Sequence, residues 1–441
     1  MIAALKNKLQ SSLWKKALSD SSHYLISSLI IKSLSILIVP LITRTISVEE
    51  FAIYDLFLIL NSFAIVLLSL GIDSGIAIII SENQKDNGKL GKFLKLNVIF
   101  SFLAWLFSFL VISALNYSGV IEVNEEILLL FSVYTLFTVI TYALVNFCRW
   151  VGLVKVAAYM NLFCTLLGYA FGVGLLFYTQ SITYYFYGLM ASGVASTLLL
   201  SWLLRSYLFG KSEALFEKKD IYDLLKLSLP YVPNYLTNHT LAMIDRYVIL
   251  ALLDQRALGL YALVSRIANL PNMVVNIVAS GFLPILFKNI KTPEGKKFIA
   301  QVLHLYFCAV PIVVLSVVLG GEYLIYIIGG DKYTDASPML SYMILSSLIV
   351  SSTYLSGLSY NVKRKTEYIF YISLLVLFLN LILSYMLCQY YGVLGVVYGT
   401  LISSVVRAAL YINLSEKLIR FGYNQLFILA SFVIALIMIV I

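Results

Sequence analysis

The sequence predicts an all-α integral membrane protein of two parallel-repeat, six-helix lobes. That makes twelve spans, with a C-terminal apolar segment as candidate thirteenth. Three observations predict it. The 441 residues are 61% hydrophobic and 12% charged, with mean hydropathy +0.92. Soluble domains sit near half apolar and a quarter charged, so this chain needs lipid as its solvent. Second, the apolar residues gather into runs of about 20, the length that crosses a hydrocarbon core of ~30 Å. Third, a stretch reading PLITRTISVEEFAIY, from Pro40 to Tyr54, recurs much eroded as YVILALLDQRALGLY, from Tyr247 to Tyr261. The closest correspondence sets Phe51-Ala52-Ile53-Tyr54 against Leu258-Gly259-Leu260-Tyr261, an offset of 207 residues. Each copy follows an apolar helix, turns through a short polar stretch and opens another. A repeat of this size divides the chain into two similar halves.

Residues 1–21 come first. Leu5, Leu9 and Leu13 recur at helical spacing with Lys6, Lys8, Lys15 and Lys16 around them. No continuous apolar run or small-residue cleavage site marks a signal peptide. The pattern predicts an amphipathic helix on an anionic membrane face. Ser19, Asp20 and Ser21 can cap the first span. Spans are expected at 22–42, 52–80, 93–116, 126–148, 154–178 and 183–207 in the first lobe (22–208). A charged linker, 209–228, follows. The second lobe (229–414) holds 229–253, 258–286, 298–320, 338–360, 366–390 and 391–414, the last two joined by a tight hairpin at Tyr390-Tyr391-Gly392. Residues 415–441 end the chain, with the apolar stretch 424–441.

Charge sets the orientation. With the N-terminus in the cytoplasm, 24 of the 31 Lys and Arg fall on the cytoplasmic side and three in outer loops (Arg44, Arg256, Lys332). The outer loop 117–126 carries Glu122, Glu125 and Glu126 with no basic residue. This alternation follows the positive-inside rule. It accounts for the net charge of +9 without nucleic acid as a partner. Six spans separate the repeats, so both halves insert the same way up.

Composition and motifs exclude most chemistry. No loop is large enough for a catalytic domain, and no P-loop, HExxH or nucleophile elbow is present. The three histidines make no metal site. Cys148, Cys164, Cys308 and Cys388 read as small apolar residues. The expectation is therefore a transporter rather than an enzyme, without cofactor or metal.

Ionisable residues inside spans carry the most information, because each costs ~2.5–3.5 kcal/mol at the bilayer centre. Lys32 lies ten residues into the first span, ~15 Å deep. The repeat sets it against His239 in the other lobe. Asp245 and Arg246 sit toward the outer end of the seventh span, Arg266 in the eighth and Arg407 in the twelfth. Asp55 opens the second span as a cap or interfacial residue, and Asp73 sits near its inner end. Gly71 and Gly75, Gly168 and Gly172, and Gly395 and Gly399 have the spacing of close helix packing. Most of the 32 tyrosines read as interface belts.

At these residues a family resemblance enters. Pro40-Leu41-Ile42-Thr43-Arg44 with Glu49-Glu50-Phe51-Ala52-Ile53-Tyr54 resembles the opening signature of polysaccharide-export flippases. These are the O-antigen and capsule flippases of the multidrug/oligosaccharidyl-lipid/polysaccharide exporter superfamily. Leu70–Ile76 (LGIDSGI) is similar to their second-span ending. Pro230, Asp245-Arg246 and Leu258-Gly259-Leu260-Tyr261-Ala262 resemble the start of their second half, and Tyr391-Gly392-Val393-Leu394-Gly395 their last hairpin. The resemblance covers nearly the whole chain.

It implies a substrate, an oligosaccharide repeat unit on undecaprenyl diphosphate, translocated across a bacterial inner membrane by rocking lobes. Lys32, Arg246, Arg266 and Arg407 would bind the diphosphate or acidic sugars, and the lipid tail would stay in the bilayer. Asp73 or Asp245 would couple transport to H⁺ or Na⁺. The polymerase and chain-length regulator of the same route are the implied protein partners. Competing readings are a drug or cation antiporter of the same superfamily and a membrane glycan polymerase or transferase. The first prefers acids in its cavity and the second needs a large catalytic loop.

Overall fold

A computed structural model describes residues 23, 26–82, 87–118, 125–210, 218–275, 292–363, 365 and 367–440. The expected N-terminal amphipathic helix (1–21) lies outside the described residues. Among them there is no strand. A helix satisfies all its backbone hydrogen bonds within itself, which hydrocarbon demands. Eleven described helices are long and apolar enough to cross a membrane. The seventh expected span forms a helix, Val232–Leu252, of 21 residues. It is not one of the eleven, because His239, Asp245 and Arg246 lower its hydropathy. The C-terminal stretch forms Gln425–Val440, 16 residues, or ~24 Å at 1.5 Å per residue against the ~30 Å a span needs.

The chain divides into two compact units. Unit 1 takes the chain up to Thr45 together with Phe57–Leu236, and unit 2 takes Ile46–Leu56 together with the chain from Thr237 onward. The sequence boundaries place Ile46–Leu56 in the first lobe; in the structure it packs with the second. Helix Val48–Ser69 therefore opens in unit 2 and continues in unit 1.

In unit 1, Val154–Thr179 packs on Ile182–Leu203, and both pack on Glu125–Trp150. The second expected span is not one helix. It breaks after Ser69, where Leu70 (φ 47°) and Gly71 (φ 66°) turn left-handed, and restarts as Ile72–Glu82. Gly71 suits the turn twice over: it tolerates positive φ, and a Cβ there would stand 2.7 Å from the Ser228 carbonyl oxygen. That oxygen ends the linker helix Lys218–Ser228, which packs along Ile72–Glu82. Leu224 is buried and Tyr222 exposed on this helix, as an amphipathic linker requires. Lys92 and Asp220 form an ion pair at its start.

In unit 2, Glu367–Tyr391 and Val393–Leu418 pack along their length across the single residue Gly392 (φ 58°). Pro293–Gly329 runs 37 residues with Pro311 inside it, and Gln425–Val440 packs against it. The repeat is visible in the caps. Ser47 accepts a hydrogen bond from the Glu50 amide at 3.1 Å, while Glu50 accepts from the Ser47 amide at 2.9 Å. This is a reciprocal capping box. Asp254, offset by the same 207 residues, accepts from the Ala257 amide at 2.7 Å. Both caps start the helices that carry the recurring tyrosines.

Candidate functional site

Two arginines of unit 2, Arg246 and Arg266, meet on Asp55. Its helix starts at the Ser47 cap, which sets Asp55 two turns in. Phe51 stands one turn before it, on the same side, and Tyr54 immediately precedes it. The Asp55 side chain is 3% exposed and accepts three hydrogen bonds from two guanidinium groups. Arg246 donates from Nε to Oδ2 at 2.8 Å. Arg266 donates from Nε at 3.1 Å and from Nη2 at 2.9 Å, both to Oδ1. Such charge-assisted bonds are roughly twice as strong as neutral ones.

The two arginines differ in exposure. Arg246 spends its remaining nitrogens on the protein, Nη1 on the Ala242 carbonyl at 2.9 Å and Nη2 on the Ser265 hydroxyl at 3.3 Å. Its side chain is 8% exposed, whereas that of Arg266 is 24% exposed. Each guanidinium lies over one of the recurring tyrosines, Arg266 over Tyr54 at 4.7 Å and Arg246 over Tyr261 at 5.6 Å. Cation–π attraction of this kind strengthens as water is withdrawn. The repeated tyrosine thus has the same use twice in unit 2.

Asp245 belongs to a second cluster. It accepts from the Tyr261 hydroxyl at 2.6 Å, Asn380 Nδ2 at 3.0 Å and the Thr400 hydroxyl at 3.1 Å. Ser384 holds the amide, donating to Asn380 Oδ1 at 2.7 Å. Neighbours along a helix point about 100° apart, so Asp245 and Arg246 face different partners. Arg246 needed an acid from another helix, and Asp55 supplies it.

The structure brings Arg246 and Arg266 together on Asp55; Lys32 and Asp73 belong to unit 1, and Arg407 has other neighbours. Lys32 is half-buried in helix Ile26–Thr45 of unit 1 and has no ion-pair partner among the described residues. Arg407 lies over Tyr411 at 5.8 Å, with its buried Nε unpartnered. Asp73, in unit 1, accepts from the Tyr142 hydroxyl at 3.1 Å. The sequence reading missed Asp55 as the hub, together with Asn380, Thr400 and Ser265. Asp55 was legible in principle: two deep arginines need a counter-charge, and the adjacent Asp245 cannot face Arg246. What the cluster offers chemically is one carboxylate shared by two guanidiniums, with Asp245 next to Arg246 as a second buried acid, and its more accessible cation is Arg266.

Residues 17–290 match the family described as "Polysaccharide biosynthesis protein". Over 177 residues the chain is 28% identical to the capsular polysaccharide biosynthesis protein CapF of Staphylococcus aureus, a match taking in 38% of this chain and 43% of that protein. The aligned part thus spans less than half of that relative's length. Among solved structures, the lipid II flippase MurJ in an inward closed conformation matches with a TM-score of 0.70 at 18% identity. The match covers 95% of this chain and 91% of that one. An inward-facing multidrug resistance MATE family transporter of the MOP superfamily matches at 0.69 and 15% identity, over 89% and 97% of the two chains. The MATE transporter VcmN of Vibrio cholerae matches at 0.63 and 15%, over 92% and 97%. At these identities the likeness is one of fold, that of the MOP transporters.

Proposed function

The chain belongs to the polysaccharide biosynthesis protein family, and we propose that it is a flippase for undecaprenyl-diphosphate-linked oligosaccharide repeat units. The repeat units would be those of O-antigen, capsule or exopolysaccharide. The multi-pass fold supports a transporter, and the family supports a glycan precursor as cargo. The observation that carries the headgroup assignment is Asp55 shared between two guanidiniums, of which Arg266 is the more exposed. A diphosphate cannot cross hydrocarbon alone, and arginine binds phosphate oxygens through its planar fork.

Arg266 is the ligand-facing cation in this reading. Arg246 acts through Asp55 as a positioning residue. Lys32 and Arg407 supply further positive charge. The protein sits in a bacterial inner membrane with its N-terminus in the cytoplasm. It alternates the access of its cargo and leaves the glycan chemically unchanged, so it is not an enzyme and takes no cofactor. H⁺ or Na⁺ coupling through Asp73 or Asp245 belongs to the same proposal. So does hand-over to a polymerase and chain-length regulator. Transport that persists with both ion gradients collapsed removes the coupling part.

The test is a leaflet assay in proteoliposomes holding diphosphate-linked oligosaccharide. Native protein accelerates exposure of the glycan on the opposite leaflet. Arg266→Ala slows it about tenfold or more, the worth of one lost hydrogen bond to a charged group. No acceleration by folded native protein, across several glycans and imposed gradients, overturns the flippase in favour of a drug exporter. Movement that survives Arg266→Ala and Lys32→Ala keeps the flippase and removes these residues from its site.

A further inference from the structure

A second polar cluster stands in unit 1, where the chain turns between helices Val48–Ser69 and Ile72–Glu82. Asp73 is half-buried there, and its Oδ2 accepts the Tyr142 hydroxyl at 3.1 Å. Its other oxygen takes no hydrogen bond from a described residue. One turn along the Tyr142 helix, on the same face, Asn146 is 8% exposed, its amide nitrogen buried beside the Tyr142 hydroxyl and short of a well-formed hydrogen bond. Folds leave few buried donors unpaired, and each exception calls for an explanation. Ser74, next to Asp73, is hydrogen-bonded to the Tyr235 hydroxyl at 2.9 Å. Tyr235 in turn stacks on Tyr231, centroids 6.3 Å apart and planes 23° from parallel. Tyr231 and Tyr142 are 42% and 36% exposed.

We propose that this cluster is a sugar-binding subsite for the glycan of the lipid-linked cargo, a reading that rests on the transport function above. A sugar hydroxyl both donates and accepts, so its recognition needs an acceptor and a donor side by side. The open oxygen of Asp73 is the acceptor and the Asn146 amide the donor. The C–H face of a pyranose is apolar and lies flat on an aromatic ring, which the stacked pair presents through Tyr231. Ser74 fixes the pair by holding Tyr235. The Asp73 carboxylate repels a diphosphate. The neutral, hydroxyl-rich part of the cargo is what remains. With the N-terminus inside, the cluster lies at the cytoplasmic end of helix Val48–Ser69, where the glycan arrives.

The experiment uses the purified full chain in detergent. It measures binding of bare undecaprenyl diphosphate and of the same carrier bearing glucosyl, N-acetylglucosaminyl or galacturonyl residues. At least one glycosylated carrier binds about tenfold more tightly than the bare one, the margin one charge-assisted hydrogen bond provides. Asn146→Leu and Tyr231→Ala erase that margin and leave the bare carrier's affinity unchanged, while Tyr231→Trp keeps it. A margin that survives Tyr231→Ala, or an equal loss for bare and glycosylated carriers, overturns the subsite. Native protein that binds all carriers equally overturns the subsite alone. Native protein that binds none overturns the transport reading with it.

Discussion

In unit 1 the side chains that bond one another across the mid-helix core are neutral. Asn61 accepts from the hydroxyls of Thr135 at 3.1 Å and Thr138 at 3.0 Å, and Thr141 pairs with Thr197 at 2.9 Å. In unit 2 they are ions: Asp55 with Arg246 and Arg266, and Asp245 among its three donors. Unit 1 keeps its buried ion pair, Lys92 with Asp220, near a helix start. The 207-residue repeat makes the contrast sharper. Caps and tyrosines correspond, Ser47 to Asp254 and Tyr54 to Tyr261. The ions do not: opposite Asp55 stands Ala262, opposite Arg246 Val39, and opposite Arg266 Ile59. The scaffold is duplicated and the charged site is single. Hydroxyl and amide pairs hold helices together at little risk, because losing one partner strands only a neutral group. An ionic cluster strands a charge, so its retention in one unit points to work beyond packing.

The largest expected break in this comparison comes from Asp55→Ala. It leaves two guanidiniums facing each other without a counter-charge and destabilises by about 3–5 kcal/mol, as when one partner of a buried pair is removed. Hydrogen exchange in detergent should rise in unit 2 and stay near native in unit 1; a uniform rise would mean the units do not differ as described. Asn61→Ala tests the neutral side. Its cost should be about 0.6–1.7 kcal/mol, the range of hydrogen bonds between membrane helices. A larger loss in denaturant titration would put unit 1 on the same footing as unit 2. The smallest effects belong to the features the two halves share. Ser47→Ala and Asp254→Ala should each cost about 0.5–1 kcal/mol as lost N-caps, shown by matched shifts in melting temperature. A cost confined to one would argue that the capped repeat is not structurally equivalent.

The all-helical membrane fold was legible because a span carries its whole signal in one run of ~20 apolar residues. The repeat was legible because turn and cap residues are local. The break at Leu70-Gly71 was not, since Leu70 sits in a left-handed turn that its residue type does not announce. Nor was the place of Ile46–Leu56, because an amphipathic segment reads alike whichever unit it packs on. Arg246 and Arg266 were picked out by depth alone. Their shared partner reads in sequence as a cap or interfacial residue, because Asp55 is near a helix start, and it is 2% exposed in the fold. Which tyrosines serve polar neighbours is a matter of tertiary contact, and a count of 32 could not sort them.

Helix Val48–Ser69 opening in one unit and closing in the other also sets an order of events during synthesis. Asp55 precedes Arg246 by 191 residues and Arg266 by 211. At about 5–20 residues per second, the ribosome delivers the first arginine ~10–40 s after the acid has left it. For that interval the acid has neither of its guanidiniums. The second unit therefore closes late, when its own helices come back for a residue made near the beginning of the chain.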